Sequence, residues 1–314
     1  MVELQHNSKR NKVEMSLKDY ICLGINHHLL YADMIRNPSE HLRTLKILLA
    51  DVRWEIIDMW YPWEIQEETL KAIRDSGKTI YYNIGNRSGQ RSLAPASMDD
   101  ELRRYTFNVY LDELKRAKMC NAQKIITNSG PNVLEHREKC KDYLVAFYIE
   151  LCKQAETIMV IIEPTDWDTS KYKLIGSSLE AVEICQRVKN SGYRNIGSMI
   201  DMCHVPLMHE TISKAFSDTS NYLEHIHLGN CVLDKRSPYY GDKHPGIGIG
   251  GGIFGVSDIA ELFGLGLSSR YFCRGNRGSA SIEMRVLPGL SAEECLDSYY
   301  NAVCQAWHKA SMNQ

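Results

Sequence analysis

Four short stretches of the chain end on residue types that do chemistry. "SMIDMCHVPL" (198–207) runs apolar into Asp201, then offers Cys203 and His204. "VIIEP" (160–164) closes on Glu163, "HIHLG" (225–229) carries His227 and "SIEMR" (281–285) carries Glu283. Side chains of an extended strand alternate between its two faces. Val160 and Ile162 therefore oppose Ile161 and Glu163, while Ile200 and Met202 flank Asp201. Ile226 and Leu228 oppose His225 and His227, and Ile282 and Met284 oppose Ser281, Glu283 and Arg285. The apolar faces suit contact with helices, so Glu163, Asp201, His227 and Glu283 turn the other way. A single strand-end carboxylate is ordinarily solvated or salt-bridged; four converging groups in successive units are not. Three carboxylates sharing an interior repel one another, and burying them is costly unless a cation neutralises them. Three oxygen-donor residues plus one imidazole suit one divalent ion, Mn²⁺ first and Mg²⁺ or Co²⁺ next, better than a closed structural zinc site.

The elements that must position these groups follow a regular rhythm. β-rich runs at 20–26, 55–61, 79–85, 124–130, 159–165, 196–202, 224–230 and 281–287 alternate with helical patterns at 40–52, 62–77, 98–119, 137–154, 178–192, 257–264 and 292–310. A weaker helical pattern covers 207–221. Gly77 and Gly192 stand where a helix ends in the left-handed conformation, and Ser291 before "AEE" reads as an N-cap. Eight strand–helix units imply a parallel sheet that closes as a single-domain (β/α)8 TIM barrel, with its site at the carboxyl ends of the strands. A doubly wound open sheet is the alternative. Residues 1–18 read as a polar N-terminal extension and 19–314 as the barrel.

Composition narrows the function classes. The chain has 314 residues, 44% hydrophobic and 24% charged, with net charge −2. That balance lacks the basic footprint of a nucleic-acid binder. No apolar run reaches the length of a membrane span, and the first residues lack a signal-peptide core. The ten scattered cysteines form no C-x-x-C and read as reduced thiols of a cytoplasmic protein.

"IIEPTD", "MIDMCHVP", "HIHLGN" and "SIEMRV" resemble the motifs of the xylose isomerase-like barrel superfamily of sugar isomerases and epimerases, from "GINHHLLY" (24–31) to "SIEMRVLPG" (281–289). The resemblance implies a metal held by Glu163, Asp201, His227 and Glu283, with His204 binding a substrate hydroxyl. "EPTDWD" and the long "GNCVLDKRSPYYGDKHPGIGIGGG" loop also resemble C-glycoside deglycosidase catalytic subunits. These are lyases that break the C–C bond of 3-oxo glycosides together with a small β-rich partner chain. Ketose epimerases of the superfamily commonly carry an arginine where this chain has Leu233 and an acid where it has Thr169, with Asp166 and Asp168 nearby. Simple 3-epimerisation of a ketose is thereby put in question.

With a keto sugar or keto-glycoside as substrate, Glu163, Glu283 or His204 would take the proton α to the carbonyl. Its return elsewhere isomerises or epimerises; departure of the C1 substituent makes the reaction a lyase. His27 and His28 end strand one, and alternation lets only one of them face the interior. Trp60 and Trp63 offer aromatic faces after strand two, Asp166 a further acid, and His244 a candidate acid in a long loop. His136 reads as a surface residue. "GIGIGGG" (246–252) contains G-x-G-x-x-G but lacks the preceding strand and the later acid of a dinucleotide site. It reads as a flexible lid or a loop that binds no phosphate, and "GNRSGQRS" (85–92) as a basic loop that touches an anionic substrate or is merely solvated. A phosphodiester hydrolase like endonuclease IV would want several metals, more histidine ligands and a basic groove. A non-catalytic barrel would not keep the ligands. The expected partners are a sugar or glycoside and either a second copy or a small subunit, with no nucleic acid and no membrane.

Overall fold

The computed structural model describes residues 15–32, 37–85 and 93–312. Eight parallel strands pair in chain order and close on themselves: β1 (Ile21–Asn26), β2 (Ile56–Met59), β3 (Thr79–Asn83), β4 (Lys124–Thr127), β5 (Met159–Ile162), β6 (Ile196–Asp201), β7 (Leu223–Leu228) and β9 (Asn276–Ile282). The closing pair sets Gly24 of β1 against Ser281 of β9. A Cβ on Gly24 would collide with the Ser281 hydroxyl, so only glycine permits this approach. The two-residue β8 (Phe272–Cys273) forms a hairpin with the start of β9 across Gly275, whose φ is +88°.

Around the barrel lie α1 (His27–Leu30), α2 (Pro38–Ala50), α3 (Glu67–Ser76), α4 (Asp100–Met119), α5 (Arg137–Ala155), α6 (Ser178–Asn190), α7 (His204–Leu207), α8 (Ile212–Thr219), α9 (Val256–Ser268) and α10 (Ala292–Met312). Their starts follow local chemistry. Asn37 and Asp99 accept backbone N–H groups at α2 and α4, and Ser291 with Glu294 forms a reciprocal cap at α10. Gly77 ends α3 at φ +66°. Of the 207–221 pattern, 212–219 forms α8 and a 3-10 turn follows at Ser220–Tyr222.

The main core lies between barrel and helices, and includes Val160, Ile162, Ile200, Ile226, Leu228 and Ile282 from the outward strand faces. Each such side chain contributes about 1.5–3 kcal/mol by leaving water. Inside the barrel, Ile126, Ile161 and Met199 form a separate apolar layer. No helix among the described residues is long and apolar enough to cross a membrane.

Two expectations shift. Strands β2 to β7 stop one to three residues short of the expected ends, because the chain bends over the barrel mouth where site residues begin. The last strand covers 276–282 rather than 281–287, and "MRVL" becomes a loop with Met284 buried in the core. The small residues of "GSAS" disguise this strand, yet they are what the crowded closing seam accommodates.

Candidate metal centre

Asp201 is the last residue of β6 and His227 the penultimate residue of β7, and strand register sets them side by side. Glu163 and Glu283 are the first residues past β5 and β9. Their N–H groups extend the ladder by one step, to Thr127 O at 2.8 Å and Leu228 O at 2.9 Å. One donor atom from each of Glu163, Asp201, His227 and Glu283 lies within 4.8 Å of the others. All four residues are buried, Glu163 the most open at 8% exposed.

The hydrogen bonds around this group decide which atoms are left over. Asn26 Nδ2 donates to Glu283 Oε1 at 2.7 Å, and the Cys203 N–H donates to Asp201 Oδ1 at 2.8 Å. His227 Nε2 meets Asp58 Oδ2 at 3.2 Å. The remaining atoms Glu283 Oε2, Asp201 Oδ2 and His227 Nδ1 are buried with no hydrogen-bond partner among the described residues. His227 Nδ1 and Glu283 Oε2 stand 2.6 Å apart without forming a hydrogen bond, and Glu163 Oε1 is 3.6 Å from the same nitrogen. Buried polar atoms are rarely left unmatched. Several of them converging off hydrogen-bond geometry is the arrangement of ligands around one cation, so these residues fit a divalent ion.

The electrostatics agree. Burial opposes charge on His227, but Glu283 and then Asp58 and Glu163 outweigh it and raise its pKa well above the ordinary value. Burial, followed by Glu283 and Glu163, pushes Asp201 well above the carboxylate range against the pull of His244 and His227. Burial acts the same way on Glu283, but His227 and His244 overcome it and hold that carboxyl well below the usual range. The cluster draws in positive charge, as protons if not as a metal.

A second donor group adjoins the first through Asp201. His204 Nδ1 donates to the Pro164 carbonyl at 3.2 Å, leaving Nε2 3.2 Å from Asp201 Oδ2 and 3.5 Å from Asp242 Oδ2. His244 Nδ1 donates to the Glu283 carbonyl at 3.2 Å, leaving Nε2 2.6 Å from Asp242 Oδ1 and 3.7 Å from Asp201 Oδ2. Burial keeps His204 well below its ordinary pKa. Asp242 also pairs with Lys171 at 2.6 Å.

The other candidates divide. His28 faces the cluster: burial pushes its pKa down to about 4 while Glu283 and Asp58 pull the other way. His27 turns outward to Thr44 Oγ1 of α2 at 3.0 Å and packs edge-on against His41. Trp60 is 2% exposed and packs with the main core, and Trp63 stands edge-on to Tyr61 and His41. Asp166 is not open to a ligand. Its carboxylate accepts backbone N–H groups of Thr169 at 2.8 Å, of Lys171 at 2.8 Å and of Ser170, and so shapes its own loop. Thr169 bonds Asp168 and the Leu207 carbonyl. His136 is exposed. The glycine loop is pinned at Gly246 against Tyr299 and at Gly252 against Asn230. Of the basic loop, 86–92 lies outside the described residues. Asn26, Asp58 and Asp242 escape notice in the sequence, although alternation in "EIIDMWY" sets Asp58 opposite Ile57 and Met59.

A cleft of about 670 Å³ is lined by residues including Leu29, Tyr31, Arg43 and Arg285 and by none of the four clustered residues.

Residues 50–268 match the family described as xylose isomerase-like TIM barrel. The chain belongs to that family. D-psicose 3-epimerase, solved in the presence of D-fructose, aligns at 15% identity and TM-score 0.66 over 93% of this chain and 100% of that one. The IOLI protein with a bound zinc atom gives 14% and 0.66 over 92% and 99%. The 3-keto-D-glucoside 4-epimerase YcjR of E. coli gives 14% and 0.61 over 91% and 98%. At these identities the likeness is one of fold. Comparison with curated proteins finds no match in sequence.

Proposed function

We propose that the protein is a divalent-metal-dependent enzyme that enolises a keto sugar or keto-glycoside, of the sugar isomerase or epimerase type. One observation carries the reading: four buried ligand groups meet at the carboxyl mouth of the barrel, three of them with a donor atom unmatched. Mn²⁺ suits three carboxylates and one imidazole. Such an ion would supply Lewis-acid stabilisation of the negative charge that develops on a substrate oxygen. The structural neighbours named for ketose and 3-keto-glucoside epimerisation and for zinc binding support the reading by fold.

The chain's own groups have separable roles. Glu163, the least buried of the four, is best placed to take the proton α to the carbonyl. Glu283, steadied by Asn26, faces it across His227 and returns the proton elsewhere. The bare Nε2 of His204 accepts a substrate hydroxyl proton, and the uncharged ring of His28 completes the wall.

A second reading rests on a different observation. His244, held against Asp242, is a further proton carrier beside Asp201. Two-glutamate epimerisation does not need it, but a departing aryl carbon does. That favours a lyase acting on the C–C bond of 3-oxo C-glycosides, with a small β-rich partner chain. The test is an Mn²⁺-supplemented assay across free ketoses and 3-oxo O- and C-glycosides, with Glu283→Gln as control. Turnover of free ketoses supports the first reading, and release of the aglycone from a 3-oxo C-glycoside supports the second. Full activity of Glu283→Gln with unchanged metal content contradicts both.

A further inference from the structure

The barrel interior beneath the centre holds a polar column that neither proton transfer nor substrate binding uses. Asp58 on β2 is fully buried, and its Oδ2 lies 3.2 Å from Nε2 of His227 and 3.2 Å from Nε2 of His225. A carboxylate facing two imidazole nitrogens accepts a hydrogen bond from each. His225 is anchored from below: with its Nε2–H given to Asp58, its Nδ1 accepts the Ser279 hydroxyl proton at 2.8 Å, and the Glu224 carbonyl lies 3.2 Å from the same oxygen. The two rings meet edge to face at 5.0 Å, and Tyr81 meets His225 the same way at 4.8 Å. Neither ring can turn over without setting a C–H against the buried carboxylate.

We propose that Asp58 is the positioning residue of the metal centre: by holding the proton of His227 on Nε2 it leaves Nδ1 as a bare lone pair aimed at the cation, and His225 and Ser279 hold Asp58 in place. The proposal rests on the reading of His227 as a ligand. It specifies a tautomer, not merely a contact, because only the Nε2–H form offers an Nδ1 lone pair to a cation shared with Glu163, Asp201 and Glu283. Partners of this kind tune metal affinity by about 10–100-fold. Asparagine at 58 keeps the shape and one acceptor but can also present an NH₂ group, so it no longer dictates the tautomer.

The test uses the full chain with Mn²⁺ or Zn²⁺ alone and no sugar. Chelator competition gives the dissociation constant for wild type and Asp58→Asn, and ¹⁵N NMR of the zinc-loaded and metal-free chains reports the protonated nitrogen of His227. The expected result is an affinity loss of about 10–100-fold for Asp58→Asn; at a pH high enough for the His227 ring to be neutral, the metal-free wild type keeps its one proton on Nε2 and metal-free Asp58→Asn shows mixed tautomers. Ser279→Ala, at the far end of the column, is expected to weaken binding less. Wild-type binding with unchanged affinity and tautomer in Asp58→Asn overturns this inference alone, even if the variant melts earlier. Failure of the wild-type chain to bind either ion overturns it together with the metal-dependent reading.

Discussion

Replacing Asp201 by Asn separates the cost of metal binding from the cost of folding. In the metal-free chain burial, with Glu283 and Glu163, raises the Asp201 pKa well above the carboxylate range and so favours its protonated form. Asparagine is then a neutral group of the same shape, and its Oδ1 keeps the 2.8 Å bond from the Cys203 N–H. Metal-free stability should change by less than about 1 kcal/mol. With Mn²⁺ bound the position is reversed, because the variant removes a buried anion from a charged cluster. Such a loss costs about 3–5 kcal/mol, and at about 1.4 kcal/mol per tenfold that is a hundred-fold to several-thousand-fold weaker dissociation constant. At an Mn²⁺ concentration 100 times the wild-type constant, bound metal stabilises wild type by about 2.7 kcal/mol and a variant weakened a hundred-fold by about 0.4 kcal/mol. Urea denaturation with EDTA and with Mn²⁺ reads both numbers. The reasoning is refuted if Asp201→Asn gains as much from Mn²⁺ as wild type, or if its metal-free form is several kcal/mol less stable.

The remaining predictions concern protons, histidines and the glycine loop. His227 and Asp201 both carry raised pKa values in the metal-free cluster, so binding an ion expels their protons; Mn²⁺ affinity should fall as pH falls, by up to about tenfold per pH unit for each proton released, measured by calorimetry in buffers of differing ionisation heat. His27→Ala should cost about 2–4 kcal/mol of stability by emptying a packed site while leaving turnover per folded molecule unchanged. His28→Gln should do the opposite, lowering kcat with little change in denaturation midpoint. Gly246→Ala drives a methyl into the Tyr299 hydroxyl, which bonds the Arg285 carbonyl at 2.6 Å, and should cost about 1–3 kcal/mol. Gly250→Ala, with open space around it, should stay within about 0.5 kcal/mol.

Alternation made much of this legible. Val160, Ile162, Ile226, Leu228 and Ile282 do pack outward, and Glu163, Asp201, His227 and Glu283 do meet inside, because a strand's two faces are fixed by its pleat. At His27 and His28 the rule allowed only one inward ring without saying which, and the structure turns His28 in and His27 out. Asn26 caps a helical turn starting at His27, so the period of two no longer applies there. Asp58 obeyed the rule and was still missed: a lone acid in strand two gains meaning only when closure of the barrel brings β2 into reach of the two β7 histidines. Asp242 lies in a loop whose path no periodicity sets. Asp166 looked like a site acid, yet backbone N–H groups consume it.

The most direct measurement is a crystal structure of the Mn²⁺-loaded chain with anomalous diffraction recorded at the manganese edge. The account predicts one strong peak bonded to Glu163, Asp201, Glu283 and Nδ1 of His227. A chain that crystallises in Mn²⁺ with no peak among those four side chains would contradict it.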